Sequence, residues 1–425
     1  MARYNALGRL QKIIFFQPEQ KGEILRVENI QLKYEKVAAF FNEGRMDNVV
    51  DVLVFFSGGS GECLLQGHNP NPQNLHLRFF GSDCVQPPEE IDERWTQDPF
   101  LFRDAHQMYV LDDGTAGKYR NVINHLKLLL PPLTVETWPV ATEVGSILVG
   151  RCNYEDYVLL GANGDRGTDD VDYDWNRIGE HLNIEKIIKV AVAKNANAEV
   201  DFVFNLFYHA DLYLTPVGPI SDDQSMECIL YAQVEGATLD IDAEECNEKI
   251  EDVVLQIRNR LGPTHVNLLP IPFLLISNNF AVSYNNMIAE NYFSGTKHVC
   301  RLYLPDYSTV LPTYFSSLVD VDPREEKSEA QEQELTDTLD NLKNLAENLS
   351  NRNELLIAKS LDEEMDADDV ASLIANKQKE IQDNLENLGF EVHFVTMSNN
   401  DFSVDERFAS GLHCRSKVVQ RDLIL

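Results

Sequence analysis

Three short segments, far apart in the chain, carry the side chains best suited to chemistry. They are Arg94-Trp95-Thr96-Gln97-Asp98, Tyr208-His209-Ala210-Asp211 and Gly411-Leu412-His413-Cys414. Two carboxylates can grip a planar cation, a thiolate can attack carbon, and an imidazole can move protons. Together these groups suit the cleavage of a guanidinium C–N bond, so arginine or a close relative is the expected substrate class. Each segment also has a plainer reading. A lone cysteine such as Cys414 is often a packing residue. His209-x-Asp211 is also compatible with a fragment of a metal site or a hydrogen-bonded core pair. Asp98, between Trp95 and Pro99-Phe100, is either a pocket acid with an aromatic wall or a cap at a turn.

The elements that must hold these residues alternate in type. β-rich runs occupy residues 51–56, 107–111, 157–161, 187–192, 200–207, 227–234, 299–304 and 390–395, with helix-like stretches at 174–182 and 243–261. Alternating strand and helix signals predict an α/β fold. His209 and Asp211 follow the apolar run 203–208 and precede Leu212-Tyr213-Leu214. On a strand, positions i and i+2 share a face, so both would point into one pocket. Cys414 immediately precedes Arg415-Ser416-Lys417-Val418-Val419, which reads as the start of a strand.

Residues 322–389 differ from the rest, being acidic and nearly free of aromatics. Leu335, Leu339, Leu342, Leu345 and Leu349 have the spacing of an amphipathic helix. Val370, Ile374, Lys377, Ile381 and Leu388 suggest a second helix, begun near Asp366 or Asp368 and stopped by Gly389. The pair predicts a helical hairpin leaving and re-entering one domain that spans 1–425. It is either a packed insertion or a surface serving as a lid or a protein-partner site.

The chain has 425 residues, with 69 Asp and Glu against 36 Lys and Arg, for a net charge of −33. That balance argues against nucleic-acid or anionic-membrane partners and favours attraction of a cation, although acidic surfaces also serve solubility. No apolar run approaches the ~20 residues of a membrane span. Met1-Ala2-Arg3-Tyr4-Asn5 is not followed by a signal-peptide core, and the seven cysteines contain no CxxC pair. A cytoplasmic location with reduced thiols is the expectation.

Taken in order, the motifs resemble the guanidine-modifying, or pentein, superfamily. Arg94-Trp95-x-Gln97-Asp98 is similar to the peptidylarginine deiminase version, whereas deiminases of free guanidines usually carry Arg where Gln97 stands. His209-x-Asp211 and His413-Cys414 resemble the family's His-x-Asp and terminal nucleophile motifs. Glu143-Val144-Gly145-Ser146 and Ser283-Tyr284-Asn285-Asn286, followed by Tyr303-Leu304-Pro305, resemble segments of agmatine deiminases. The likeness runs from about Asn48 to Val419. It departs from the family at Val144 and Tyr208, where glycine is usual, and at Leu101, where calcium-dependent animal enzymes place an acid.

The resemblance implies a five-bladed α/β propeller with pseudo-five-fold symmetry and a helical insertion. It implies a deiminase with Cys414 as nucleophile, His209 as acid and base, and Asp98 and Asp211 holding the guanidinium. Trp95 and Asn286 would also bind substrate. The substrate would be an arginine-containing protein or a small guanidine, with peptidyl arginine favoured by Gln97. Hydrolysis of agmatine or free arginine, amidino transfer, and a catalytically silent scaffold binding partners through the acidic helices are the alternatives. No cofactor is implied, and Leu101 disfavours calcium.

Overall fold

The computed structural model describes residues 6–17, 27–43, 45, 49–56, 76–81, 100–104, 106–110, 119–138, 144–161, 175–192, 206–207, 209–278, 280–319, 328–352, 365–396 and 416–422. Among them the strands form five separate sheets. One contains β1 (Arg9–Gln17), β2 (Asp51–Phe56), β3 (Leu77–Gly81) and the last strand, β17 (Ser416–Asp422), with helix α1 (Val27–Asn42) between β1 and β2. The next holds β4 (Phe100–Phe102), β5 (Gln107–Val110) and β6 (Thr134–Thr137), with α2 (Arg120–Leu129) before β6. A third holds β7 (Ile147–Cys152), β8 (Glu155–Leu160) and β9 (Lys186–Lys189), with α3 (Trp175–Leu182) before β9. The fourth holds β10 (Leu214–Pro216), β11 (Glu227–Glu235), β12 (Val266–Ser277) and β13 (Phe280–Ser283), with α4 (Ala243–Leu261) between β11 and β12. The fifth holds β14 (Ile288–Ser294), β15 (Lys297–Asp306) and β16 (Glu391–Thr396). Three helices, α5 (Val310–Val319), α6 (Glu329–Arg352) and α7 (Ala367–Asn387), fill its crossover.

One connection pattern recurs in all five. A first strand pairs antiparallel with a second: β4 with β5, β7 with β8, β10 with β11, β14 with β15, and β17 with β1. The second then pairs parallel with a third: β5 with β6, β8 with β9, β11 with β12, β15 with β16, and β1 with β2. Parallel neighbours cannot be joined by a tight turn, so each of these crossovers carries a helix. The sequence periodicities behind this pattern are visible. The apolar run at the start of β11 is buried, as expected of a strand covered on both faces. Helix α4 occupies the stretch read as helical, opens with the Asp242 side chain accepting from the Glu244 amide, and ends at Gly262 with φ 95°. The strand read at 187–192 stops earlier, at Lys189, and most of the run 200–207 lies outside the described residues.

Helices α6 and α7 are built into the largest apolar cluster. Leu342, Leu345, Leu349, Val370, Ile374, Ile381 and Leu385 are buried there with residues of β1, β2, β15 and β16, while Leu335 and Leu339 pack at its edge. Asp366 caps α7 in a reciprocal capping box with Asp369. One position of the expected stripe, Leu388, differs from that reading, and another, Lys377, is covered as expected although it is charged. Leu388 follows the last helical turn and is 44% exposed. Lys377 is buried, and its ammonium is held by both Glu235 oxygens at 3.0 and 2.9 Å.

Buried polar groups join the sheet of β1 and β17 to that of β14 and β15. The Arg421 guanidinium donates to the carbonyls of Ala6, Gly8 and Ala289 at 3.1, 3.2 and 2.8 Å. Glu290 accepts from the Leu10 amide at 2.7 Å and the Tyr303 hydroxyl at 2.9 Å, and it pairs with Arg45. Cys152, Cys228, Cys246 and Cys300 are buried free thiols. No helix among the described residues is long and apolar enough to cross a membrane.

Candidate active site

His209 and Asp211 are both buried. They do not lie on a strand. His209 precedes a single 3-10 turn, Ala210–Leu212, and β10 begins only at Leu214. The Leu212 amide bonds the His209 carbonyl and the Tyr213 amide bonds that of Ala210, each at 3.2 Å. In a 3-10 turn successive residues step by about 120°, so the common face expected of a strand is not what brings His209 and Asp211 inward. The neighbouring segments do so.

The Tyr213 hydroxyl donates to the Val190 carbonyl at 2.7 Å, and the Ala232 amide donates to Tyr213 at 2.8 Å. From the other side, Ser283 Oγ donates to the Leu212 carbonyl at 2.6 Å. Gly161, just past β8, lets the turn come close: a Cβ there would stand 2.9 Å from Ala210 Cβ and 3.1 Å from its amide nitrogen. The Gly161 amide also donates to the Ser146 carbonyl at 2.8 Å, which ties in a second 3-10 turn, Val144–Ser146.

The segment Ser283, Tyr284, Asn285, Asn286 and Met287 is buried throughout. Thr215 Oγ1 donates to the Asn285 carbonyl at 2.5 Å, joining it to β10. The Tyr307 hydroxyl donates to the Ser283 carbonyl at 3.1 Å, and its ring meets that of Tyr284 edge-on at 5.5 Å. Three segments singled out in the sequence, at 144–146, 209–212 and 283–287, thus gather in one place, with Asn286 among them. Trp95, Asp98 and Cys414 lie outside the described residues.

A positional regularity links all of these segments to the sheets. Asp98 precedes the first residue of β4, Phe100, by two positions, and Cys414 likewise precedes Ser416 of β17. Gly145 stands two before Ile147 of β7, Asn286 two before Ile288 of β14, and Asp211 three before Leu214 of β10. Each of these strands is the antiparallel first strand of its sheet. Their opening residues pair with Val110, Phe15, Leu160 and Tyr303, in the C-terminal halves of the second strands, and with Tyr231 at the middle of β11, beyond which the Ala232 amide still bonds the Tyr213 carbonyl. The five first strands therefore begin at corresponding ends of their sheets.

The supporting residues were not legible as such in the sequence. Thr215, Ser283 and Tyr307 act through contacts 24 to 71 residues away along the chain; no local pattern marks Thr215 or Tyr307, and the motif that contains Ser283 does not show what its hydroxyl holds. Asp306, next to Tyr307, is an exception in charge. Burial pushes its carboxyl up, but hydrogen bonds from Ser308, Gln378 and Thr396 outweigh this and hold it below its ordinary value. At the opposite end of β11, Glu227 is fully buried and its carboxyl is pushed up to about 8, although the amides of Gly218 and Arg151 donate to it at 2.8 and 3.1 Å.

No family model matches the chain, and no curated protein matches it significantly. Its fold is similar to that of a solved X-ray structure described as a “putative agmatine deiminase”, with 12% identity and a TM-score of 0.50, over 100% of this chain and 96% of that one. The resemblance read from the ordered motifs thus extends to the mixed α/β tertiary fold along the full chain.

Proposed function

We propose that the chain is a guanidine-modifying hydrolase, a deiminase that converts an arginine-type guanidinium to a ureido group and ammonia. In this reading 1–425 form one catalytic domain, 322–389 are an insertion within it, and the five sheets are the blades of a propeller around a central pocket. One observation carries the proposal. The five quoted segments immediately precede the first strands of five sheets that repeat one topology, so an arrangement of those sheets about a common axis would bring the segments to one mouth.

The chemistry follows from the residue types. Asp98 and Asp211 hold the guanidinium fork and fix its plane. Trp95 packs on the alkyl stem or the cation, and Asn286 bonds the substrate. The Cys414 thiolate adds to the guanidinium carbon, giving a tetrahedral adduct. His209 protonates the departing nitrogen, the C–N bond breaks, and ammonia leaves a thiouronium on Cys414. His209 then takes a proton from water, which adds to the same carbon. Collapse breaks the C–S bond, releasing the ureido product and the thiolate.

Ammonia release is the test, measured across peptidyl arginine, free arginine, agmatine and methylarginines. The expected outcome is turnover of at least one, abolished in Cys414→Ala with the fold intact. Gln97 favours peptidyl arginine within that panel. Wild-type turnover in Cys414→Ala would overturn the thiol mechanism. Absence of turnover across the panel, with no labelling of Cys414 by a thiol-reactive guanidine analogue, would leave a silent scaffold.

A further inference from the structure

A continuous hydrogen-bonded path leads from the inserted helix α7 to the turn that bears His209 and Asp211. Gln378, on α7, is buried and uses both ends of its amide. Its Nε2 donates to Asp306 Oδ1 at 3.0 Å, and its Oε1 accepts from the Tyr307 amide at 2.9 Å. Tyr307 then donates its hydroxyl to the Ser283 carbonyl at 3.1 Å. Ser283 Oγ donates to the Leu212 carbonyl at 2.6 Å, and the Leu212 amide closes the turn on the His209 carbonyl at 3.2 Å. Asp306 is fixed besides by Thr396 Oγ1 at 2.7 Å and the Ser308 amide at 2.9 Å.

A second anchor on the same helix points the same way. Lys377, adjacent to Gln378, is clamped on Glu235, the last residue of β11. The 209–212 turn leads into β10, which pairs antiparallel with β11, so it belongs to that same end of β11. Helix α7 therefore grips the ends of β11 and β15, and the groups between them are buried and polar. A single 3-10 turn has few bonds of its own to set its direction. Its aim depends on the side chains that hold its carbonyls from outside, and buried polar atoms that lose a partner must move or remain unsatisfied.

We propose that Gln378, Tyr307 and Ser283 are positioning residues, through which the inserted helix α7 sets the orientation of the His209–Asp211 turn. This rests on the reaction proposed above, but the placement of the turn can be read without it. The insertion is then part of the working apparatus rather than a separable lid. Tyr307→Phe removes only the hydroxyl and keeps the ring against Tyr284. Gln378→Met cuts the link at the helix while keeping side-chain length.

Two measurements on the full chain test the proposal. The first is kcat and KM for the best guanidine of the panel. The second is the imidazole titration of His209, followed by NMR in histidine-labelled protein and assigned with His209→Asn. Tyr307→Phe and Gln378→Met are expected to lower kcat about tenfold, with KM changed much less. Both should shift the His209 titration midpoint. Ser283→Ala should do the same and Ser283→Thr, which keeps the hydroxyl, should restore wild-type behaviour. Wild-type kcat and an unmoved His209 titration in Tyr307→Phe would overturn the proposal. So would a kcat loss matched by the loss of folded protein, with the folded fraction titrating as wild type. A shifted His209 titration in a protein inactive on every guanidine would uphold the coupling and reject the deiminase reading.

Discussion

Glu227 shows how a single carboxyl couples this fold to pH. It sits at the start of β11, with the backbone amides of Gly218 and Arg151 as donors. Burial dominates these bonds and raises its pKa from 4.5 to about 8. The folded state therefore keeps a proton that the unfolded state has released, so the unfolded chain binds fewer protons between those values. The contribution of Glu227 to stability is fully present below about 4.5 and is lost as pH rises through about 8. Glu227→Gln should remove that component. Denaturant unfolding at a series of pH values is expected to show the wild type losing a few kcal/mol more than the variant across this window. Parallel curves would show that Glu227 is ionised in the fold. Nothing in the apolar run of β11 announces this acid. His209 and Asp211, by contrast, stood out because two polar side chains beside an apolar run need a reason.

At the scale of elements, the leucine spacing of 335–349 made α6 readable, and Asp366 and Gly389 marked the limits of α7. Their placement in the core was not readable, because an amphipathic stripe says that a face is covered and not by what. Leu342 lies against the main cluster with no exposure. Leu342→Ala is expected to cost about 2–5 kcal/mol in denaturant unfolding. Replacing 322–389 by a short linker should yield no cooperatively folded protein, seen as a lost thermal transition. A folded, deleted chain that still turned over a small guanidine would instead make the helices dispensable to the core, and lost activity on a protein substrate would then assign them to recognition. The 209–212 turn is the element misread from sequence. A strand and a 3-10 turn can share the same few residues, and the choice was made by Tyr213, Ser283 and the close approach of Gly161.

The whole molecule carries −33 at neutral pH. A field of that sign raises the local concentration of cations and is screened by salt over about 10 Å at 0.1 M. With a cationic guanidine as substrate, kcat/KM is expected to fall several-fold between about 10 and about 300 mM salt, while kcat changes little. An uncharged thiol reagent acting on Cys414 should show no such dependence. Salt-insensitive kcat/KM would mean that the acidic surface serves solubility alone.

The amino-acid sequence by itself determined the class of fold and the chemistry to look for. Alternating strand and helix signals are local, and thiol, imidazole and carboxylate carry their reactivity in their composition. Their chain order was enough for a resemblance that the tertiary fold shares. Only the tertiary structure decided that five sheets repeat one pairing scheme, since strand pairing joins residues as distant as Phe15 and Ser416. It also decided that Arg421 anchors residues 6–8 and that α7 reaches the histidine turn through Gln378, Tyr307 and Ser283. Each of these rests on burial that removes competing water. Buried donors then bond whichever acceptors packing brings near, and no local stretch of sequence encodes which those are.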